Sequence, residues 1–256
     1  MREIPYRTIG NRTLLLRVSP PWEAAGSPAP AAVFYHGGGW VKGHWTQFEP
    51  QAARLNALGV LTVLVEYRTE GPVAANEDAV AAMNAVVERS PELGCDPSRI
   101  VAIGGSAGGQ LALATAVLKL PNTNPDHRPA ALVLLNPVTN TAGEFPVGFG
   151  RNHFNDDDHA LRYSPLQHVD ENTPPTLVLH GTADSAVHHQ SSVEFVEKVN
   201  RSGGQAELVL YDDQRHGFFN PRSTEPRQPG NPDDEYFERT TQEMERFVRR
   251  MVANNA

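Results

Sequence analysis

Residues 99–118 read "RIVAIGGSAGGQLALATAVL". The first five residues are an apolar run short enough for a strand. The last dozen mix alanine and leucine at a helical period. Between them, four of the six residues of "GGSAGG" are glycine, with Ser106 in the middle. Glycine weakens a strand or helix by roughly 0.5–1 kcal/mol relative to alanine, so this cluster marks a place that needs space. Gly104-Gly105-Ser106-Ala107-Gly108 fits G-x-S-x-G in the strand–turn–helix context that presents a nucleophile. In such a turn the serine backbone is strained, and side chains are missing where strand and helix approach. The hydroxyl then projects at the end of the sheet, and the helix N-terminus behind it favours negative charge. A glycine-rich phosphate loop or a plain tight turn are the competing readings. The flanking strand and helix favour the nucleophile.

Working outward, residues 3–18 read as two short strands turning at Gly10-Asn11. Six apolar runs follow, the opening stretch among them: "AAVFYHGGGW", "GVLTVLVEY", "RIVAIGGS", "PAALVLLNP", "PPTLVLHG" and "QAELVLYDD". Each is short, rich in leucine or β-branched residues, and closed by Gly, Pro or Asp. Continuous runs of this kind suit strands buried on both faces of a parallel sheet. Helical patterns lie between and after them: "QFEPQAARLNALG", "AANEDAVAAMNAVVERS", "AGGQLALATAVLKL", "QSSVEFVEKVNRSGG" and "DEYFERTTQEMERFVRRMV". The alternation predicts a doubly wound, mostly parallel α/β sheet with flanking helices. A single domain over 1–256 is expected, with no internal repeat. "PPWEAAGSPAP" and "STEPRQPGNP" read as exposed loops. The irregular stretch 137–174 is a candidate lid, because loops of that length inside a compact domain are usually functional.

The second glycine cluster, "HGGGW" from His36 to Trp40, ends the run "AAVFY". Acyl transfer passes through a tetrahedral oxyanion, and preorganised N–H donors stabilise it. Losing one donor typically costs about 10²–10³ in rate. Gly38, Gly39 and Ala107 are the expected donors, and Trp40 is expected to wall the acyl side of the site. A serine nucleophile also needs a base, and the base an orienting carboxylate. Chain order for this turn is serine, acid, histidine. His216 in "DDQRHGFFN" follows the last apolar run, and Asp184 in "LVLHGTADSAV" follows the one before it. Both leave strand ends on the edge of the sheet that carries Ser106, where open α/β sheets gather their functional groups. Asp212 and Asp213 compete for the acid position but sit too close in sequence to His216. His180 reads as structural. His153, Asp157 and His159 have ligand chemistry, yet Asp156–Asp158 suit the start of a short helix better. No metal site and no cofactor are expected.

The bulk numbers exclude several classes. With a net charge of −8 and no basic stripe, the 256-residue chain is a poor nucleic-acid binder. Cys95 is the single cysteine, which removes an intramolecular disulfide and makes a cysteine-based zinc site improbable. No apolar run is long enough to cross a bilayer. "MREIPYRTIGNR" lacks the apolar centre of a leader peptide, so the compartment is left open between intracellular and exported after leader removal.

Together "HGGGW", "GGSAGG", "HGTADSAV" and "HGFFN" resemble the α/β-hydrolase superfamily, in particular esterases related to the hormone-sensitive-lipase and acetyl-xylan/feruloyl groups. The resemblance runs from about residue 12 to 250. It implies carboxylic-ester hydrolysis without a cofactor, with Ser106 as nucleophile, His216 as base, Asp184 as acid and Gly38 and Gly39 in the oxyanion hole. Two features depart from the hormone-sensitive-lipase pattern. That group has aspartate where this chain has Gly105, and it carries a helical cap ahead of the first core strand, for which there is no room here. His188 also stands where relatives often have proline. The expected substrate is a short acyl ester, acetyl above all, of a small molecule or a carbohydrate. Feruloyl ester hydrolysis, a serine peptidase of the prolyl-oligopeptidase type, and a non-catalytic binding module are the alternatives. The peptidases usually carry a propeller domain, and non-catalytic members lose a triad residue.

Overall fold

The computed structural model describes residues 1–22, 28–142, 153–221 and 234–253. The expected loop at 223–232 lies outside the described residues, as do parts of the loop near 20–30 and of the candidate lid at 137–174.

The chain opens with a hairpin of β1 (Arg2–Ile9) and β2 (Arg12–Ser19). It continues through β3 (Ala29–Tyr35), α1 (Glu49–Ala57), β4 (Leu61–Val65), α2 (Pro72–Glu88), α3 (Ser90–Leu93), β5 (Cys95–Gly105) and α4 (Ala107–Val117). Then come β6 (Ala131–Leu135), α5 (Asp157–Arg162), β7 (Thr176–Gly181), α6 (Gln190–Arg201), β8 (Ala206–Tyr211) and α7 (Glu235–Ala253). The eight strands form one sheet in the order β1-β2-β4-β3-β5-β6-β7-β8. The pairings β1–β2 and β2–β4 are antiparallel, and every pairing from β4–β3 to β7–β8 is parallel. Among the described residues the hairpin, not a helix, precedes β3.

The strand pattern follows from period-two packing between two apolar layers. In β3, Ala31, Val33 and Tyr35 pack on the side of α2, α4 and α6. Ala32 and Phe34 alternate with them on the side of α1 and α7. Strands β3, β4, β6 and β7 are buried along their whole length. β8 differs from its sequence reading: it is the sheet edge, only Tyr211 in it is buried, and Leu210 is 41% exposed. Its apolar run is therefore not that of a strand covered on both faces.

Helix α4 is buried at all eleven positions. That explains its run of Gly, Ala and Leu, since a helix apolar all round belongs inside. α6 and α7 are amphipathic and bury one stripe each, Phe195, Val196 and Val199 in the first, Met244, Phe247 and Val248 in the second. β3 feeds β4 on one side and β5 pairs on its other side. The winding direction reverses there, and the carboxyl ends of β3 and β5 open the crevice where such sheets bind ligands.

Candidate active site

Ser106 sits between β5 and α4 with φ 57° and ψ −122°. A non-glycine residue held in such a region costs on the order of 1–3 kcal/mol and persists only where its surroundings enforce it. Here they do. The Ser106 N–H donates to Leu135 O at 2.9 Å, and the Ser106 carbonyl accepts from Gly109, Gln110 and Val138 N–H groups at 3.0, 3.2 and 3.2 Å. The motif glycines mark close approaches. A β carbon on Gly104 would lie 2.1 Å from Gly108 O, and one on Gly108 would lie 2.0 Å from Tyr35 O. Neither position admits any side chain. Gly105 is closed differently. A β carbon there would meet Phe219 Cζ at 2.5 Å and Phe48 Cζ at 3.2 Å, and these two rings stack on each other. The absent aspartate of the sequence reading is thus replaced by aromatic packing.

His216 comes from the loop after β8 and Asp184 from the loop after β7. The His216 Nε2 lies 2.9 Å from Ser106 Oγ, and its Nδ1 lies 2.7 Å from Asp184 Oδ2. Asp184 is buried, and its Oδ1 accepts from Ala186 and Val187 N–H groups, each at 2.9 Å. Burial alone would raise its pKa. Hydrogen bonds from His180 and His216 outweigh that and hold the carboxyl well below the usual carboxylate range. The chain Ser106–His216–Asp184 can therefore pass a serine proton to an imidazole whose other nitrogen faces a carboxylate. Asp212 and Asp213 are both exposed, and the Asp213 N–H donates to Thr182 Oγ1. Asn136, at the end of β6 with φ 36°, places its side-chain amide 3.3 Å from His216 Nδ1.

The glycine loop after β3 lies beside this chain: a β carbon on Gly37 would be 3.4 Å from Ser106 Cβ. Gly38 and Gly39 both have positive φ, 121° and 64°. Among the described residues no acceptor takes their N–H groups, which leaves them available to an anion. Ala107 is the first residue of α4, so its N–H is one of the donors a helix start leaves unsatisfied. His36 stacks on Tyr67, and its Nδ1 is 2.8 Å from Gly37 O. Burial pushes its pKa down to about 4.

Trp40 departs from its sequence reading. Its ring is fully buried, and the indole N–H donates to Gln110 Oε1 at 3.0 Å. Gln110 in turn bonds Asn76 and donates to Tyr163 O at 2.9 Å. The indole therefore ties the glycine loop to α4 and α2, and a ring with no accessible surface does not wall a substrate pocket.

Sequence reasoning missed Gln47. Its Oε1 accepts from the Gly37 N–H at 2.7 Å, and its Nε2 donates to Asn220 Oδ1 at 3.0 Å. It thus joins the glycine loop to the loop that carries His216. No motif surrounds it, and only the contacts identify it. The Asp156 carboxylate caps α5 by accepting from His159 N–H at 2.7 Å. Among the described residues there is no group of three His, Cys, Asp or Glu that could hold a metal, and no helix long and apolar enough to cross a membrane.

Comparison with known proteins agrees with this architecture. A family model described as "alpha/beta hydrolase fold" matches residues 32–157, and one described as BD-FAE matches 137–199. The apo form of Thermogutta terrifontis esterase 2 superposes with a TM-score of 0.86 at 29% identity, over 98% of this chain and 94% of that one. The same esterase has been solved with propionate bound and with butyrate bound. Carboxylesterase NlhH of Mycobacterium tuberculosis is 44% identical over 94 residues, 35% of this chain and 29% of that protein. A protein of Arabidopsis thaliana named as a probable isoprenylcysteine alpha-carbonyl methylesterase is 24% identical over 74% of this chain and 45% of its own length. The chain spans less than half the length of these two curated relatives.

Proposed function

We propose that this chain, an α/β hydrolase by its fold, is a serine carboxylesterase acting on short acyl esters. The observation that carries the reading is the line of contacts from Ser106 Oγ through His216 to Asp184, 2.9 and 2.7 Å, at the carboxyl edge of the sheet.

In this reading Ser106 Oγ attacks the ester carbonyl carbon while its proton passes to His216 Nε2. The carbonyl oxygen becomes an oxyanion facing the N–H groups of Gly38, Gly39 and Ala107. Collapse breaks the bond to the alcohol, which leaves with the proton from His216. Water then attacks the acyl-enzyme, giving its proton to His216, and the acid departs as Ser106 regains its hydrogen. Asp184 keeps the imidazole oriented and stabilises its positive form. The cycle closes with no cofactor.

The acyl group is proposed to be short, acetyl to butyryl. The propionate and butyrate complexes of the structural relative support this. Trp40 gives no support, being buried. A polar alcohol such as a sugar is proposed for the other side. The support is the mixed aromatic and polar segment at 153–163, within the lid candidate. There Phe154, His159 and Tyr163 are in mutual ring contact, and Tyr163 O meets Gln110 one turn into α4.

The test is a series of p-nitrophenyl acetate, butyrate and octanoate beside a chromogenic peptide, with acetate release from a peracetylated sugar measured in parallel. A methylene that finds apolar contact gains up to about 0.8 kcal/mol, so an open tunnel would favour the longer chain. The reading predicts a steep fall in kcat/KM from butyrate to octanoate, release of acetate from the sugar, and no peptide cleavage. Preference for octanoate would replace it with a lipase-like site, and preference for the peptide with a peptidase.

A further inference from the structure

Behind Asp184 lies a second histidine that the reaction above does not use. His180 is the penultimate residue of β7 and has no exposed surface. Its Nε2 lies 2.9 Å from Val187 O and 3.3 Å from Asp184 Oδ2, the same carboxylate oxygen that faces His216. Its Nδ1 lies 2.7 Å from Ser192 Oγ, a buried hydroxyl on α6.

Hydrogen accounting places the proton on Nε2. Nε2 faces two oxygens that can only accept, a carbonyl and an ionised carboxylate, so a lone pair there would be repelled by both. Nε2 therefore carries the hydrogen. A serine hydroxyl is both donor and acceptor, so Ser192 matches Nδ1 as it stands. Asp184 then accepts three hydrogen bonds, two on Oδ1 and one on Oδ2, with the His180 Nε2–H as a longer fourth contact at 3.3 Å, and cannot turn away from His216 without breaking some of them.

We propose that His180 is a positioning residue for Asp184, and that Ser192 acts by holding the His180 ring in the orientation that aims Nε2 at the carboxylate. The proposal rests on the reading of Asp184 as the acid that orients His216. Without the Ser192 hydroxyl Nδ1 loses its 2.7 Å contact and the ring is no longer pinned from α6, which loosens the carboxylate that Nε2 faces. A glutamine at the His180 position presents an N–H toward the same oxygens and has no ring nitrogen for Ser192 to hold, so it should not depend on Ser192.

The test is kcat and KM for p-nitrophenyl acetate in the full chain and in S192A, H180Q, the S192A/H180Q double variant and D184N. Losing the contribution of one hydrogen bond predicts a fall in kcat of about three- to tenfold in S192A, with KM held within about twofold. In the H180Q background the same S192A change should have no further effect on kcat. A structural role alone would lower the melting temperature in both backgrounds and leave kcat of the folded protein untouched. An unchanged kcat in S192A, or an equal fall in both backgrounds, overturns the proposal. The D184N arm separates the two claims. If D184N keeps most of its activity, the acid assignment fails. If D184N collapses while S192A is neutral, only the role of His180 fails. Should the H180Q chain not fold, imidazole ¹⁵N shifts of the wild-type protein decide: a proton on Nε2 supports the proposal, and an unprotonated Nε2 overturns it.

Discussion

Gly105 and Phe219 compete for one volume: a β carbon on Gly105 would stand 2.5 Å from Phe219 Cζ, and the stacked Phe48 ring borders the same space with its Cζ at 3.2 Å. Phe219 is buried and cannot swing into solvent. Gly105→Ala is therefore an overpacking change, expected to cost about 1–3 kcal/mol. Urea unfolding measures it. F219L, which shortens the obstructing ring, should recover part of the loss in the double variant. Independent, additive effects of the two changes would show that the ring is not the obstacle.

Gln47 joins the glycine loop to the His216 loop. Gln47→Ala leaves the Gly37 N–H without its acceptor and Asn220 without its donor. A fall in kcat of about three- to tenfold is expected, the size of one or two lost hydrogen bonds. N220A should cost little more in the Q47A background than Q47A alone, because both remove the same bridge. Fully additive losses would separate the two loops.

His36 carries a pH prediction. Burial lowers its pKa in the folded protein to about 4, below the roughly 6.5 of an unperturbed histidine. The unfolded chain therefore binds a proton at a pH where the folded one does not. Stability attributable to this group is full above about pH 6.5 and declines as pH falls toward 4, by up to roughly 3 kcal/mol. Urea unfolding at pH 7 and at pH 4.5 checks the sign. H36N, which keeps a donor toward Gly37 O but has no titration in this range, should show a smaller difference between the two. An equal difference would clear His36.

Most of the sheet was legible because buried parallel strands are short and apolar without alternation, as in "ALVLL" and "LTVLV". The hairpin was legible from Gly10-Asn11. β8 was misread as doubly covered because its apolar run is of the same kind, and edge position depends on strand order, which no local pattern carries. The Ser106 turn was legible because its glycines answer to backbone clashes at 2.1 and 2.0 Å. Trp40 was misjudged because an indole beside a glycine loop looks like a pocket wall in one dimension. Its burial and the Gln110 contact, 70 residues away, reveal its direction. Gln47 and the Ser192–His180 pair were invisible for the same reason, since their partners are distant in sequence or on another element.

The central claim is that Ser106 is the nucleophile, and kcat/KM of Ser106→Ala on p-nitrophenyl acetate tests it most directly. Alanine meets the same backbone strain as serine, so the melting temperature should hold and any loss of rate belongs to the hydroxyl. In a comparable triad the loss in kcat is about 10⁶. The account predicts activity at or near the uncatalysed background in a fully folded variant. Retention of more than about a tenth of the wild-type rate, against an expected loss of that size, would contradict it.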